Sequence, residues 1–243
     1  MQYIGGKNKS GGSQIAQLVN TTIRARALSV VSEPFCGGLS VTSRLVAPRV
    51  VASDACAALI TLYRCMQAGW RPPDLLPHGR WLELRARQDP TDPMTAFAGF
   101  GCSRSGAWYA SFVEHNRRNA VDIPAALAAR ESLENKLRPC TRVEFIHCDY
   151  RSAPEAELYY CDKPYEGTMS YPAVPGPFDH RAFWAWARVV SRRALLVVSE
   201  RKAPHDFRPL LTISLQNRLN TDGGRRTESV FVHESQFAAW ECG

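Results

Sequence analysis

Leu158-Tyr-Tyr-Cys-Asp-Lys-Pro-Tyr-Glu-Gly-Thr168 is the stretch whose reading decides the fold. Leu158 to Cys161 is an unbroken apolar run, short enough to be a strand buried on both faces. It ends on a carboxylate, Asp162, followed by Lys163, Pro164, the ring of Tyr165 and a Gly-containing turn. In open α/β sheets, ligands sit at the carboxyl ends of the strands. Asp162 and Tyr165 therefore stand where a strand delivers a hydrogen-bond acceptor and a stacking face to one planar substrate. A purine base has that shape.

Working outward, the same rhythm recurs on both sides. Leu28 to Ser32 is a short β-branched run and predicts a strand. It leads into Glu33-Pro-Phe-Cys-Gly-Gly-Leu-Ser40, and a helix is expected over Val41 to Val46. Strand, Gly-Gly and helix together suit a nucleotide-like ligand: glycines let the backbone approach, and a helix start offers unpaired N–H groups. A simple tight turn is the competing reading. Arg49 to Ser53 predicts a second strand with Asp54 at its end, where such folds bind ribose hydroxyls. Asp54 also suits a helix N-cap, because Ala55 to Ala68 is helical in pattern. Val143 to His147 is a strand ending at Cys148-Asp149-Tyr150, where an acid beside a ring can take an adenine amino group and cover its face. Asp179 to Ser191 reads as a helix and Ala194 to Glu200 as the clearest buried strand. Leu210 to Leu215 and Ser229 to Val232 predict two more strands, and Ser13 to Ile23 an N-terminal helix.

Between Gly69 and Pro139 the rhythm stops and prolines cluster (Arg71-Pro-Pro, Leu76-Pro, Asp89-Pro-Thr-Asp-Pro93). The expected organisation is an α/β domain from 1–68 and 140–243, with a mainly helical insert at 69–139. Inside the insert, Ser103-Arg-Ser-Gly106 predicts a hairpin or loop between aromatic-rich arms, with Arg104 and Ser105 at the tip and Trp108 and Tyr109 on an arm. Arg104 suits a base edge in the major groove; Arg117 and Arg118 suit phosphates. Arg225, in the Arg-rich loop Asn217 to Glu228, is a second candidate for DNA contact.

Composition agrees with a folded domain that meets nucleic acid. Over 243 residues the hydrophobic share is 45% and the net charge is +7, and of 30 basic residues 25 are Arg. Arg forks grip phosphate and guanine bidentately, although Arg in place of Lys also follows from a GC-rich genome. Met1-Gln-Tyr-Ile-Gly-Gly lacks the apolar core of a signal peptide, and no run approaches the ~20 apolar residues of a membrane span. The eight cysteines form no C-x-x-C pair and several lie in apolar runs, which predicts reduced thiols in a cytosol. No histidine pair has metal-ligand spacing, so no metal is expected. Monomer and homodimer are both compatible with the sequence.

Tyr3-Ile-Gly-Gly-Lys7, Glu33-Pro-Phe-Cys-Gly-Gly38, Ser53-Asp54, Cys148-Asp149-Tyr150 and Asp162-Lys-Pro-Tyr165, in this order, resemble the motifs of Dam-like (D12 class, α-group) DNA adenine N6-methyltransferases. The resemblance spans nearly the whole chain, and phage- and prophage-borne members are the most similar. It implies a Rossmann-like S-adenosylmethionine-dependent methyltransferase fold, a mixed sheet with helices on both faces. It also implies that the insert recognises double-stranded DNA; no stretch reads as an endonuclease segment, so a solitary modification enzyme is expected. By that similarity Tyr3 and Lys7 border S-adenosylmethionine, and Phe35, Gly37 and Gly38 lie along its methionine and ribose. Asp54 takes the ribose hydroxyls, Asp149 and Tyr150 the adenine, and Asp162 also touches the cofactor. Asp162, the carbonyl of Lys163, Pro164 and Tyr165 form the catalytic motif. Asp at 162 favours adenine over cytosine N4, where Ser is usual, and over protein glutamine, where Asn is usual.

Two positions depart from the family pattern. Leu39 stands where a third small residue is common. Lys163 replaces the first proline of Asp-Pro-Pro-Tyr. Loss of proline's fixed φ predicts a looser backbone acceptor and reduced activity, and a cation beside Asp162 is placed to pair with it. The rival reading is a DNA-binding or regulatory protein that kept the fold and lost the chemistry through Lys163.

Overall fold

The structure is a computed structural model that describes residues 9–118, 120–167, 173–174, 176–215 and 226–241; among these, the side chains of Lys9, Ser10, Arg118, Ser214, Leu215, Arg226 and Glu241 are not described. Leu158–Cys161 forms a strand, β6, and all four of its side chains are buried. Leu158 and Tyr160 enter one hydrophobic cluster and Tyr159 and Cys161 another. Successive side chains of a strand point to opposite faces, so the apolar run is the mark of a strand covered on both sides. One face is covered by α1 (Lys9–Ala25), through Ile15, Val19 and Ile23. The other is covered by α6 (His180–Val190), through Phe183, Ala187 and Val190.

Around β6 lie β1 (Val30–Glu33), β2 (Arg49–Asp54), β5 (Val143–His147) and β7 (Leu195–Glu200). These five strands are parallel, in the spatial order β5-β2-β1-β6-β7. The sheet continues with β9 (Arg226–His233) and β8 (Phe207–Leu215), and β9 runs antiparallel to both of its neighbours. A short helix, α7 (Phe237–Glu241), closes the described chain. This is the mixed, Rossmann-like sheet with helices on both faces that was expected. The chain winds outward from β1 through β2 to β5, then returns to β6 on the other side of β1. The winding reverses between β1 and β6, and that switch point opens a crevice at the carboxyl ends of the strands.

The expected helix over Val41 to Val46 is reduced to one tight turn, Thr42–Arg44. Competing hydrogen bonds explain the difference. Asn20 of α1 donates to the Arg44 carbonyl (2.8 Å) and accepts from the Val46 N–H (3.1 Å), which pulls the chain out of helical geometry.

Between α2 (Ala57–Gln67) and β5, the chain builds α3 (His78–Arg87), α4 (Pro93–Ala96), a wide helical turn at Phe97–Gly101 and a two-stranded ribbon. The ribbon pairs β3 (His115–Arg118) with β4 (Val121–Pro124) and feeds directly into α5 (Ala125–Leu137). Trp81, Phe97, Phe100 and Tyr109 of this segment share one hydrophobic cluster with Leu59, Ile60 and Tyr63 of α2 and Phe145 of β5. The insert is therefore seated on α2 through a continuous core. The hairpin or loop expected at 103–106 is a single turn closed by an isolated antiparallel bridge between Ser103 and Phe112; the two-stranded ribbon comes ten residues later.

Candidate active site

In an open α/β sheet the residues that follow each parallel strand border the crevice. Register aligns them. Glu33 pairs with Ala52, Ser32 with Tyr159 and Cys161 with Val198. Extending each ladder by two or three residues brings Phe35, Asp54 and Asp162 level across the sheet, and sets Lys163 beside Glu200.

The Gly-Gly loop is held from several directions. Gly37 has φ 40°, a left-handed conformation that suits glycine, and Leu39 follows at φ 58°. Asp54 accepts from the Gly37 N–H (3.0 Å) and the Cys56 N–H (2.9 Å), so its carboxylate supports the loop and the turn into α2; the N-cap of that helix is Cys56, not Asp54 as expected. Burial pushes the Asp54 carboxyl above its ordinary range, opposed by those two N–H groups and by His147. Tyr63 donates to the Gly37 carbonyl, and Lys136 of α5 to that of Gly38.

Phe35 stacks on Tyr150, ring centres 5.5 Å apart, and Phe178 and Phe183 pack against both rings. Tyr150 is thus a buried member of an aromatic cluster rather than an open platform. Asp149 caps the turn Tyr150–Ser152 and holds Arg151 (2.6 Å). Partial burial raises the Asp149 carboxyl, and the Arg151 hydrogen bonds outweigh it, leaving it below the usual range.

Lys163 is where the structure departs most from expectation. Its ammonium is turned away from Asp162 and forms a buried ion pair with Glu200 at the end of β7, the two side chains 0% and 3% exposed. The Nζ also donates to the Pro164 carbonyl (3.2 Å), lies 3.3 Å from His180 Nδ1, and sits 5.4–5.9 Å from the ring centres of Trp184, Phe183 and Phe178. Glu200 further accepts the N–H groups of Glu166 (3.3 Å) and Arg201 (2.7 Å). The pair ties the loop after β6 to the end of β7. The expected Lys163–Asp162 pair is corrected by the partner the ammonium takes, which is Glu200.

Asp162 and Tyr165 are half-buried at the crevice. Burial, the Asp162 charge and Glu228 of β9 push the Tyr165 phenol far up, so it stays protonated. The Arg201 guanidinium lies 5.8 Å from the Tyr165 ring centre. Glu33, Lys136, His180, Glu200 and Glu228 escaped the sequence reading. Glu33 and Glu200 carried a signal, since Val30 to Glu33 and Val197 to Glu200 both read Val-Val-Ser-Glu, a buried strand ending on an acid.

Arg104 and Ser105 are exposed on their turn, and Arg117 is exposed on β3. The expectation for Tyr109 fails: it is 4% exposed, donates to the Thr95 carbonyl (2.9 Å) and packs on Trp81. Trp108 is half-buried, packed on Phe100 at 4.7 Å, with its Nε1 donating to Gln88 (3.0 Å). Both rings hold the insert together. Tyr3, Lys7 and Arg225 lie outside the described residues, as does the side chain of Arg118. Burial pushes the thiols of Cys56, Cys102 and Cys140 up to about 12, which leaves them poor nucleophiles. Among the described residues, no helix is long and apolar enough to cross a membrane.

No protein-family model matches the chain, and none of the curated proteins does. Among solved structures, the rRNA methyltransferase aviRa from Streptomyces viridochromogenes is similar at 15% identity and a TM-score of 0.44, over 98% of this chain and 88% of that one. A proposed methylase from Haemophilus influenzae is similar at 11% identity and a TM-score of 0.35, over 91% and 98%. A proposed class I S-adenosylmethionine-dependent methyltransferase from Listeria monocytogenes follows at 9% and 0.41, over 94% and 60%.

Proposed function

We propose that the chain is an S-adenosylmethionine-dependent, site-specific DNA adenine N6-methyltransferase. The observation that carries this reading is the loop after β6: Asp162 and Tyr165, both half-buried, follow the strand end at the switch point, while the cation between them pairs with Glu200. The residues present suit the cofactor. Gly37 and Gly38 present backbone without side chains beside Asp54. Asp54 keeps lone pairs for ribose hydroxyls after accepting two N–H groups. Phe35, backed by the buried Tyr150, supplies an apolar wall, and Asp149 an acceptor beside it. When bound, S-adenosylmethionine supplies an electrophilic methyl group.

The chain's own residues would do the rest. Adenine N6 is a weak nucleophile because its lone pair is delocalised into the ring, and in a duplex it is also paired. The base must therefore leave the stack. Asp162 and the carbonyl of Lys163 accept the two N6 hydrogens and favour a tetrahedral nitrogen with its lone pair exposed. The neutral Tyr165 ring stacks on the base. Holding the base in line with the methyl group supplies much of the rate by proximity. No covalent enzyme intermediate is required, in keeping with the buried thiols.

The test is transfer of a tritiated methyl group from S-adenosylmethionine to unmethylated duplex, followed by digestion and identification of the nucleoside. N6-methyladenine is the expected product. N4-methylcytosine, label confined to RNA or protein, or no incorporation at all would overturn the reading. The insert's basic residues are assigned to DNA. Arg104→Ala is expected to lower discrimination between the methylated site and a scrambled duplex by about 1–3 kcal/mol in anisotropy titrations. An equal loss for every sequence, with a shallower salt slope, would instead make Arg104 a phosphate contact.

A further inference from the structure

Helix α5 connects two parts of the molecule that the proposed function keeps separate. Its first residue is tied to the base of the arginine-bearing ribbon, where the Ala125 N–H donates to the Glu114 carbonyl (2.8 Å). Its 13 residues, at about 1.5 Å each, span about 20 Å. Near its far end Lys136 donates to the Gly38 carbonyl of the crevice loop. The end of α5 is itself fixed: Cys140 Sγ donates to the Lys136 carbonyl (3.1 Å), and Gln67 of α2 donates to the Cys140 carbonyl (2.8 Å).

Two consecutive glycines have more conformational freedom than any other pair of residues. They hold one shape only if they are gripped from outside. Three side chains provide the grip: Asp54 from β2, Tyr63 from α2 and Lys136 from the insert. The first two belong to the sheet and its covering helix. Lys136 alone of the three comes from residues 69–139. Keeping it there has a cost, since partial burial and the nearby Arg44 draw its ammonium below the ordinary lysine range.

We propose that Lys136 is a positioning residue for the Gly37–Gly38 loop, through which the seating of the insert sets the affinity of the crevice for its cofactor. The proposal rests on the S-adenosylmethionine reading above. Two measurements on the full-length chain keep the two ideas apart. Calorimetric titration with S-adenosylmethionine compares the native protein with K136M, K136Q and K136R. Hydrogen–deuterium exchange without cofactor follows the peptide covering residues 35–41 in the same set.

The expected result is about tenfold weaker binding in K136M, the scale of a lost hydrogen bond from a charged donor. K136R should return to within about threefold of native binding. Exchange at residues 35–41 should quicken in K136M while peptides from β6 and β7 are unchanged. K136Q, which keeps a donor on a shorter stem, is read in the same way if K136M does not fold. Native binding retained in K136M, or in K136Q where it stands in, overturns the proposal whatever the exchange shows. If the native protein itself fails to bind S-adenosylmethionine, the cofactor reading falls, and the exchange experiment alone decides whether Lys136 holds the loop.

Discussion

Asp162→Ala should lower the methyl-transfer rate by about 10²–10³-fold, on the scale of removing one preorganised polar partner from a reacting centre, while leaving S-adenosylmethionine binding largely intact. Asp162 directly follows β6, the central strand, which is paired on one side with β1 and on the other with β7. The β7 ladder runs to Cys161, the residue before Asp162, so the acceptor leaves a strand whose end is already held before any substrate arrives. It is only half-buried, so it reaches the crevice and contributes little to the core. The nearby phenols respond to it: burial first, then the Asp162 charge, pushes both Tyr160 and Tyr165 upward. Asp162→Asn keeps a carbonyl acceptor and loses the charge, so its rate should fall between the native and alanine values. Single-turnover methylation and calorimetry on the same preparations provide the check. An alanine variant that turns over within about threefold of native would remove Asp162 from the chemistry.

How much of this was legible in the sequence depended on how each signal is written. β6 and β7 are buried on both faces, and an unbroken apolar run ending on an acid announces such a strand. Asp54, Asp149 and Asp162 could be placed at strand ends for the same reason. The turn at Thr42–Arg44 was misread as a helix because the residue that undoes it, Asn20, lies on α1 and leaves no local trace. The β3–β4 ribbon was missed because His115 to Arg118 is polar on both faces and offers no alternation. Tyr109 looked available for DNA because aromatic residues beside arginines suggest a binding surface. Its burial depends on Trp81, Thr95 and Gly99, which gather around it only in the folded insert. Gly99 shows how tight that packing is: a Cβ there would lie 2.6 Å from the Trp108 ring. Lys163 lies just past the end of β6, where no strand period says which way its side chain turns. Its partner could not be named, because nothing in the sequence ties residue 163 to residue 200 until the β6–β7 register is known.

That register turns Lys163 from a defect into a structural requirement, and a stability experiment tests it. Lys163→Met should destabilise the protein by about 3–5 kcal/mol, because it leaves the Glu200 carboxylate buried without its ion-pair partner. Glu200→Leu should cost a similar amount by stranding the ammonium in its three-ring box. The double variant Lys163→Met/Glu200→Leu removes both charges and should recover most of the loss, since apolar pairs of similar volume commonly replace buried ion pairs at little cost. The coupling in such a cycle separates a true pair from two independent packing defects. The same argument sets the expectation for Lys163→Pro, which restores the pattern of the family the sequence resembles. Where a residue already has a compatible backbone, proline contributes about 0.4–1 kcal/mol by restricting the unfolded chain. That is several-fold less than the loss from an orphaned Glu200, so Lys163→Pro should be less stable than the native chain. Urea denaturation of the four single and double variants against native protein measures each of these differences. A stable, fully cooperative Lys163→Pro protein would show that Glu200 is neutralised by some other means and that the pair with Lys163 is dispensable.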